Sequence, residues 1–278
     1  MHFQRISSAL IAIAVLLSAG CDHLHVDKYG VPSVHHHHGN GGGSASAGYQ
    51  VLNLASGEIV IADELPDLLS DSAYRTTKMV FRQTTATDGS AFLLGVFEVT
   101  QAQWQVIAGS ASQPWTRVAT VPTGALGSAN SDDPTKPAFA LSYDAIAGHA
   151  GVDDGALSSY RATHAGVVLA LPSTAQWRGA AGTATFAWGE GRYSGTNYAW
   201  VRETCDGVRG FRSVGTTSAD GNGFYDLHGN VREWTSERTL LGGSWMDNAM
   251  VSASANAITN VDRETEHALS GVRLVLIP

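Results

Sequence analysis

Glycine is the feature that most narrows what this chain can fold into. Its 31 glycines run from Gly20 to Gly271 and interrupt nearly every apolar run. Each glycine inside a helix costs roughly 1 kcal/mol relative to alanine, so long helices are disfavoured. Hydrophobic residues make up 44% of the chain, enough for a substantial core, while charged residues make up only 15%. Together these point to one loop-rich domain of short elements rather than a helical bundle. The formal net charge of -8 repels phosphate backbones and argues against a nucleic-acid partner.

The first residues read as an export signal over 1–20. Arg5 supplies the positive charge, Ile6 to Leu17 form an apolar run too short to span a bilayer, and small residues lead to Cys21. The stretch Ser18-Ala19-Gly20-Cys21 resembles a bacterial lipobox, although Ser18 stands where leucine is usual. Cys21 is therefore the expected lipidation site, with a membrane reached through that anchor. The alternative is ordinary cleavage and a soluble periplasmic or secreted protein. Residues 21–48 carry the run His35 to His38 and then Gly39 to Gly48, rich in Gly, Ser and Ala. That composition predicts a flexible tether. Its histidines collect metal ions loosely at most. Only Cys205 remains in the domain expected over 49–278, so the domain holds no internal disulfide.

Within 49–278, Glu58 to Ile61, Lys78 to Arg82, Phe92 to Val99 and Val272 to Ile277 read as strands. Thr100 is a candidate N-cap for a helix over Gln101 to Ala108, stopped by Gly109. Ser142 caps a second short helix. Ser173 and Gln176 form a capping box for a third, with Trp177 facing inward and Gly182 as the stop.

Six ordered segments carry a family resemblance. They are Gly95 to Trp104 (GVFEVTQAQW), Leu171 to Ala181 (LPSTAQWRGAA), Ala187 to Gly189 (AWG), Gly223 to Trp234 (GFYDLHGNVREW), Gly242 to Trp245 (GGSW) and Gly271 to Leu274 (GVRL). In this order they resemble the formylglycine-generating enzyme, or sulfatase-modifying factor, domain family. The resemblance implies an α+β fold related to C-type lectins, with short helices, short strands and much ordered loop.

The resemblance also implies two structural calcium sites. The first would use Asn197, Tyr198, Asp206 and Val208. The second would use Asp226, Gly229, Val231 and Glu233, with Gly229 and Val231 acting through their carbonyls. Calcium takes six to eight oxygens, and irregular loops leave carbonyls available for it. The bland alternative has Asp226 and Glu233 capping turns and pairing with Arg232 or Arg238. Arg232 itself departs from the family, which usually has tryptophan there.

The founding enzymes bind copper through two cysteines soon after the Gly-Gly-Ser segment. Those places fall on Asp247 and Ser252 here, and neither supplies the soft thiolate that copper(I) requires. Ser244, near that centre in the family, is kept. Ser244, Asp247 and Ser252 are the catalytic candidates, but copper is not expected. A second branch of the superfamily uses iron held by histidines. His164, Asp247 and His267 would be the iron candidates here, and iron is not expected either, since the histidines are scattered singly. The expected function is an exported, lipid-anchored, non-catalytic binding module stabilised by calcium. A protein, glycan or small-molecule ligand would sit on the C-terminal loop face of Met246 to Ser270, at Asp247, Asn248, Asn256 and Asn260. The alternative is a divergent metal-dependent oxidoreductase, iron- or formylglycine-type, acting on an exported protein or small molecule.

Overall fold

A computed structural model describes residues 48–117, 133–189, 198–205 and 210–278, together with two short strands nearer the N-terminus. The chain divides into two units, Met1–Ala45 and Ser46–Pro278. In the first unit only β1 (His25–Val26) and β2 (Pro32–Ser33) are described, as an antiparallel pair. The export signal, Cys21 and the histidine run lie outside the described residues.

The second unit is built on a six-stranded sheet. Its members are β3 (Tyr49–Asn53), β4 (Ile59–Ala62), β5 (Lys78–Thr85), β6 (Ala91–Gly95), β7 (Val168–Ala170) and β11 (Val275–Ile277), in the order β4-β3-β5-β6-β11-β7. Every neighbouring pair is antiparallel. A smaller sheet holds β8 (Arg232–Trp234), flanked by β9 (Leu240–Leu241) and a parallel β10 (Ser270–Gly271). This is the mixed α+β class expected from the sequence, with few short helices and antiparallel sheets.

Both faces of the inner strands of the large sheet are buried, which explains why they read as apolar runs rather than strict alternations, while the edge strand β4 leaves Val60 and Ile61 exposed. Leu52, Phe81 and Leu93 enter a core that includes Trp104, Phe139, Tyr160, Trp200 and Trp234. On the other face Val51 and Val80 pack with Val96 and Phe97, while Leu94 meets Trp177, Phe224 and Leu241. Helix α1 (Gln101–Ala108) opens with a full capping box from Thr100 and Gln103, and α2 (Tyr143–Ala147) is capped by Ser142. Helix α4 (Thr174–Ala181) opens with the Ser173–Gln176 capping box and ends at Gly182.

Three elements depart from the expectation. Helix α3 (Ala156–Thr163) gave no sequence signal, because its N-cap is Gly155 and no side chain caps it. The expected strand over Phe92 to Val99 stops at Gly95, although Val96 and Val99 still donate backbone hydrogen bonds to Val80 and Val272. The expected strand Val272 to Ile277 begins only at Val275, although the Val272 and Leu274 carbonyls still accept from the Val99 and Gly95 N–H groups.

Candidate functional site

The Gly223 to Trp234 segment winds through the centre of the domain. Asp226 and Asn230 both adopt positive φ, 59° and 53°. Gly229 (φ 104°) lies so close to Trp200 that a Cβ would meet that carbonyl oxygen at 2.3 Å. Glu98, from the turn after β6, fixes this winding from below. Its carboxylate accepts from the Val231 N–H at 3.0 Å and the Asn230 side-chain amide at 2.7 Å. Asn230 in turn accepts from the Arg212 N–H, and the Arg212 guanidinium lies 3.4 Å over the Trp200 ring. Burial first, and then the charges of Asp226 and Glu233, hold the Glu98 carboxyl well above the ordinary carboxylate range.

Asp226 is also buried. It accepts from the Gly215 N–H at 2.8 Å and the Thr217 hydroxyl at 2.7 Å. Glu233, wholly buried, forms an ion pair with Arg273 at 2.8 Å and accepts from the Trp177 indole N–H at 2.6 Å. Arg273 is therefore the partner of Glu233, in place of the Arg232 or Arg238 considered from the sequence.

Arg232 points elsewhere. It clasps Asp247 with two prongs, Nε to Oδ2 at 3.0 Å and Nη2 to Oδ1 at 2.7 Å. Both side chains are only 13% exposed. The Ser244 N–H and hydroxyl complete the shell by donating to Asp247 Oδ2 at 2.8 and 2.7 Å. Ser252 is fully buried and spends its hydroxyl on the Ala249 carbonyl at 2.8 Å. Its own carbonyl lies 2.6 Å from His228 Nδ1. A carbonyl only accepts, so Nδ1 carries the proton, and the buried Nε2 has no partner among the described residues. Burial pushes His228 below the usual histidine range, which keeps it neutral.

Beside the Arg232–Asp247 clasp opens a cavity of about 330 Å³ lined by Arg232, Leu240, Gly243, Val251, Asn256, Ala257 and Ile258. Of the four expected ligand-binding positions, Asn256 lines it. Asn248 instead accepts from the Val251 N–H, Asp247 is held beneath by Arg232, and Asn260 is exposed at φ 56°.

Residues 51–277 match the family model of the sulfatase-modifying factor enzyme 1-like domain. The chain belongs to the sulfatase-modifying factor family. Two solved structures share the fold. The variable protein 1 of Treponema denticola is 20% identical, with a TM-score of 0.52, over 72% of this chain and 96% of that one. PvdO from Pseudomonas aeruginosa is 17% identical, with a TM-score of 0.54, over 72% of this chain and 94% of that one. Identities this low speak for the fold alone. No curated protein sequence matches the chain.

Membership in the sulfatase-modifying factor family gives the Arg232–Asp247 clasp its meaning. Arg232 and Asp247, two of the positions that the resemblance marks as departures from the family pattern, are each other's partner. The second cysteine place, Ser252, is equally committed. Asp247 and Ser252 both spend hydrogen-bonding groups on protein partners. Of the iron candidates, Asp247 and His267 both lie against Arg232, while His164 is apart from them. His164 stacks on Tyr160 and lies within hydrogen-bond distance of Thr163, Tyr160 and Ala55 at the end of α3. His267 lies 3.4 Å from Arg232, whose positive charge, after burial, lowers its pKa. Among the described residues no three His, Cys, Asp or Glu side chains gather as a metal ion requires.

Of the first calcium set, Asn197, Asp206 and Val208 lie outside the described residues and Tyr198 within them. The second set does not fit calcium in this arrangement. All four carboxylate oxygens of Asp226 and Glu233 already accept from protein donors, and a guanidinium stands against Glu233. Sequence reasoning missed Glu98 and Arg273. Each is the only charge in an apolar run, FLLGVFEV and VRLVLI, and that isolation is the signal that would have found them.

Proposed function

We propose that this chain is an exported, lipid-anchored member of the sulfatase-modifying factor family that holds a ligand rather than oxidising one. One observation carries the reading. Asp247, which on the family resemblance falls at the place of the first copper cysteine, is locked by Arg232 and Ser244, and this clasp borders the 330 Å³ cavity. The cavity has an apolar lining from Leu240, Val251 and Ile258, with Asn256 and Arg232 as its polar residues. Met250, Val251 and Ile258 around it stay 62%, 40% and 40% exposed. Such a wall suits a ligand with an apolar body and a hydrogen-bond acceptor for Arg232. Structural calcium belongs to the proposal at the first set alone, around Tyr198.

The test is a thermal-shift screen of the full chain against short apolar peptides, glycans and small amphiphiles, repeated on Ala257→Trp. Ala257 is exposed on the cavity lining, so tryptophan fills the space without disturbing the core. Hits that raise the wild-type midpoint are expected to leave A257W unshifted. Equal shifts in both proteins would place binding elsewhere. Stoichiometric copper or iron in the purified chain, with oxygen uptake, would restore the oxidoreductase alternative.

A further inference from the structure

We infer that Arg273 serves as the built-in cation of Glu233, which with the occupied carboxylate of Asp226 leaves the Asp226–Glu233 set taking no calcium. The argument is one of saturation. Arg273 is fully buried and carries five N–H donors. Nε donates to Glu233, Nη1 to the Gly95 and Val96 carbonyls at 3.0 and 2.8 Å, and Nη2 to Glu233 and the Tyr225 carbonyl at 2.8 and 2.7 Å. All five donors have acceptors. The guanidinium thereby ties together the end of β6, the Gly223 to Trp234 winding, β8 and its own segment before β11.

This is the task a structural calcium ion performs. It gathers carboxylates and backbone carbonyls from separated loops around one positive centre. Here the carbonyls come from Gly95, Val96 and Tyr225, and the carboxylate from Glu233. Calcium at the same place would have to pull Glu233 away from Arg273 and Trp177, leaving a buried guanidinium unpaired. It would also have to draw Asp226 from the Gly215 N–H and the Thr217 hydroxyl. Breaking a buried ion pair in this way is strongly unfavourable.

Two measurements on the full chain test this. The first measures the full calcium isotherm, stoichiometry and affinity together, by equilibrium dialysis with elemental analysis in wild type and Asp226→Asn. The asparagine keeps an oxygen for the Gly215 N–H, and the Thr217 hydroxyl rotates to accept from its amide, but the carboxylate charge that a calcium ion needs is gone. The two isotherms are expected to coincide, whatever number the rest of the chain binds. A calcium that is lost or bound at least tenfold more weakly in D226N would overturn the inference. The second needs no variant. The Nε–Hε resonance of Arg273, slow to exchange in its buried ion pair, is followed in wild type as calcium is added to millimolar levels. It is expected to stay in place. Its displacement or loss would show that Glu233 leaves the guanidinium for the ion, and would equally overturn the inference.

Discussion

At the scale of residues, the domain is organised by buried charges that each have a dedicated partner, and this makes the partners testable in pairs. Removing Asp247 strands Arg232 where its side chain is only 13% exposed. Asp247→Ala is therefore expected to lower stability by about 3 kcal/mol, near the lower end for a broken buried pair. Arg232→Met relieves part of that, so the double variant falls short of the summed singles by about 2 kcal/mol. Additive effects in urea unfolding would mean the clasp is not a unit. A second residue-scale prediction concerns Tyr160, whose hydroxyl donates to the Leu54 carbonyl at 2.7 Å and whose pKa burial raises to about 12. The unfolded chain gives up this proton near pH 10 and the folded chain near 12. The folded state thus binds more protons between them, and stability falls as pH rises through that window. Tyr160→Phe is expected to cost about 1 kcal/mol at neutral pH and to flatten the alkaline decline. An unchanged slope above pH 10 in the variant would refute it. These charges were only half legible beforehand. Asp247, Asp226 and Glu233 lie in recognisable segments, but the Glu233 partners Trp177 and Arg273 lie far along the chain, and nothing local couples residue 233 to residue 273.

At the scale of elements, what was legible is what local chemistry encodes. The boxes at Thr100–Gln103 and Ser173–Gln176 set the starts of α1 and α4, and Gly109 and Gly182 mark their ends. What was illegible is what tertiary contact imposes. Helix α3 begins at Gly155 because the end of α2 crowds it, and a Cβ there would meet the Gly148 nitrogen at 2.2 Å. No pattern in ALSSYRAT announces a helix held in that way. Gly179 puts the contest between propensity and packing in one position. It sits inside α4, where alanine would ordinarily gain about 1 kcal/mol. Its missing Cβ, however, would lie 2.2 Å from the Thr85 carbonyl oxygen and 2.6 Å from Ala86 Cα. The same contact carries the hydrogen bond from the Thr87 N–H to the Ala175 carbonyl. Packing wins here, because backbone cannot move aside as a side-chain tip can. Gly179→Ala is expected to lose about 1–3 kcal/mol by thermal or urea unfolding. A gain in stability would mean that α4 slides freely along the turn between β5 and β6.

At the scale of the whole molecule, the chain joins a sulfatase-modifying factor domain to an N-terminal region whose composition predicts address and reach. The family match begins at residue 51, and the compact unit at Ser46. Ahead of them, the Gly-, Ser- and Ala-rich sequence over 39–48 predicts a flexible coil with a reach of roughly 20 Å. With the proposed anchor, such a leash would let the domain sample the space near a membrane. The net charge of -8 adds to this, since it opposes adsorption to anionic lipid and leaves the proposed acyl anchor as the only hold. These two features make the role of Cys21 separable from the fold. In a bacterial host, the wild-type chain is expected in the membrane fraction and in the detergent phase on phase separation. Cys21→Ser is expected in the soluble exported fraction, with the same unfolding midpoint as the detergent-solubilised wild type, because residue 21 lies outside the unit that begins at Ser46. Membrane association that survives C21S would transfer the anchoring role to the apolar run Ile6 to Leu17. A changed midpoint would show that the N-terminal unit contributes to the stability of the domain it precedes.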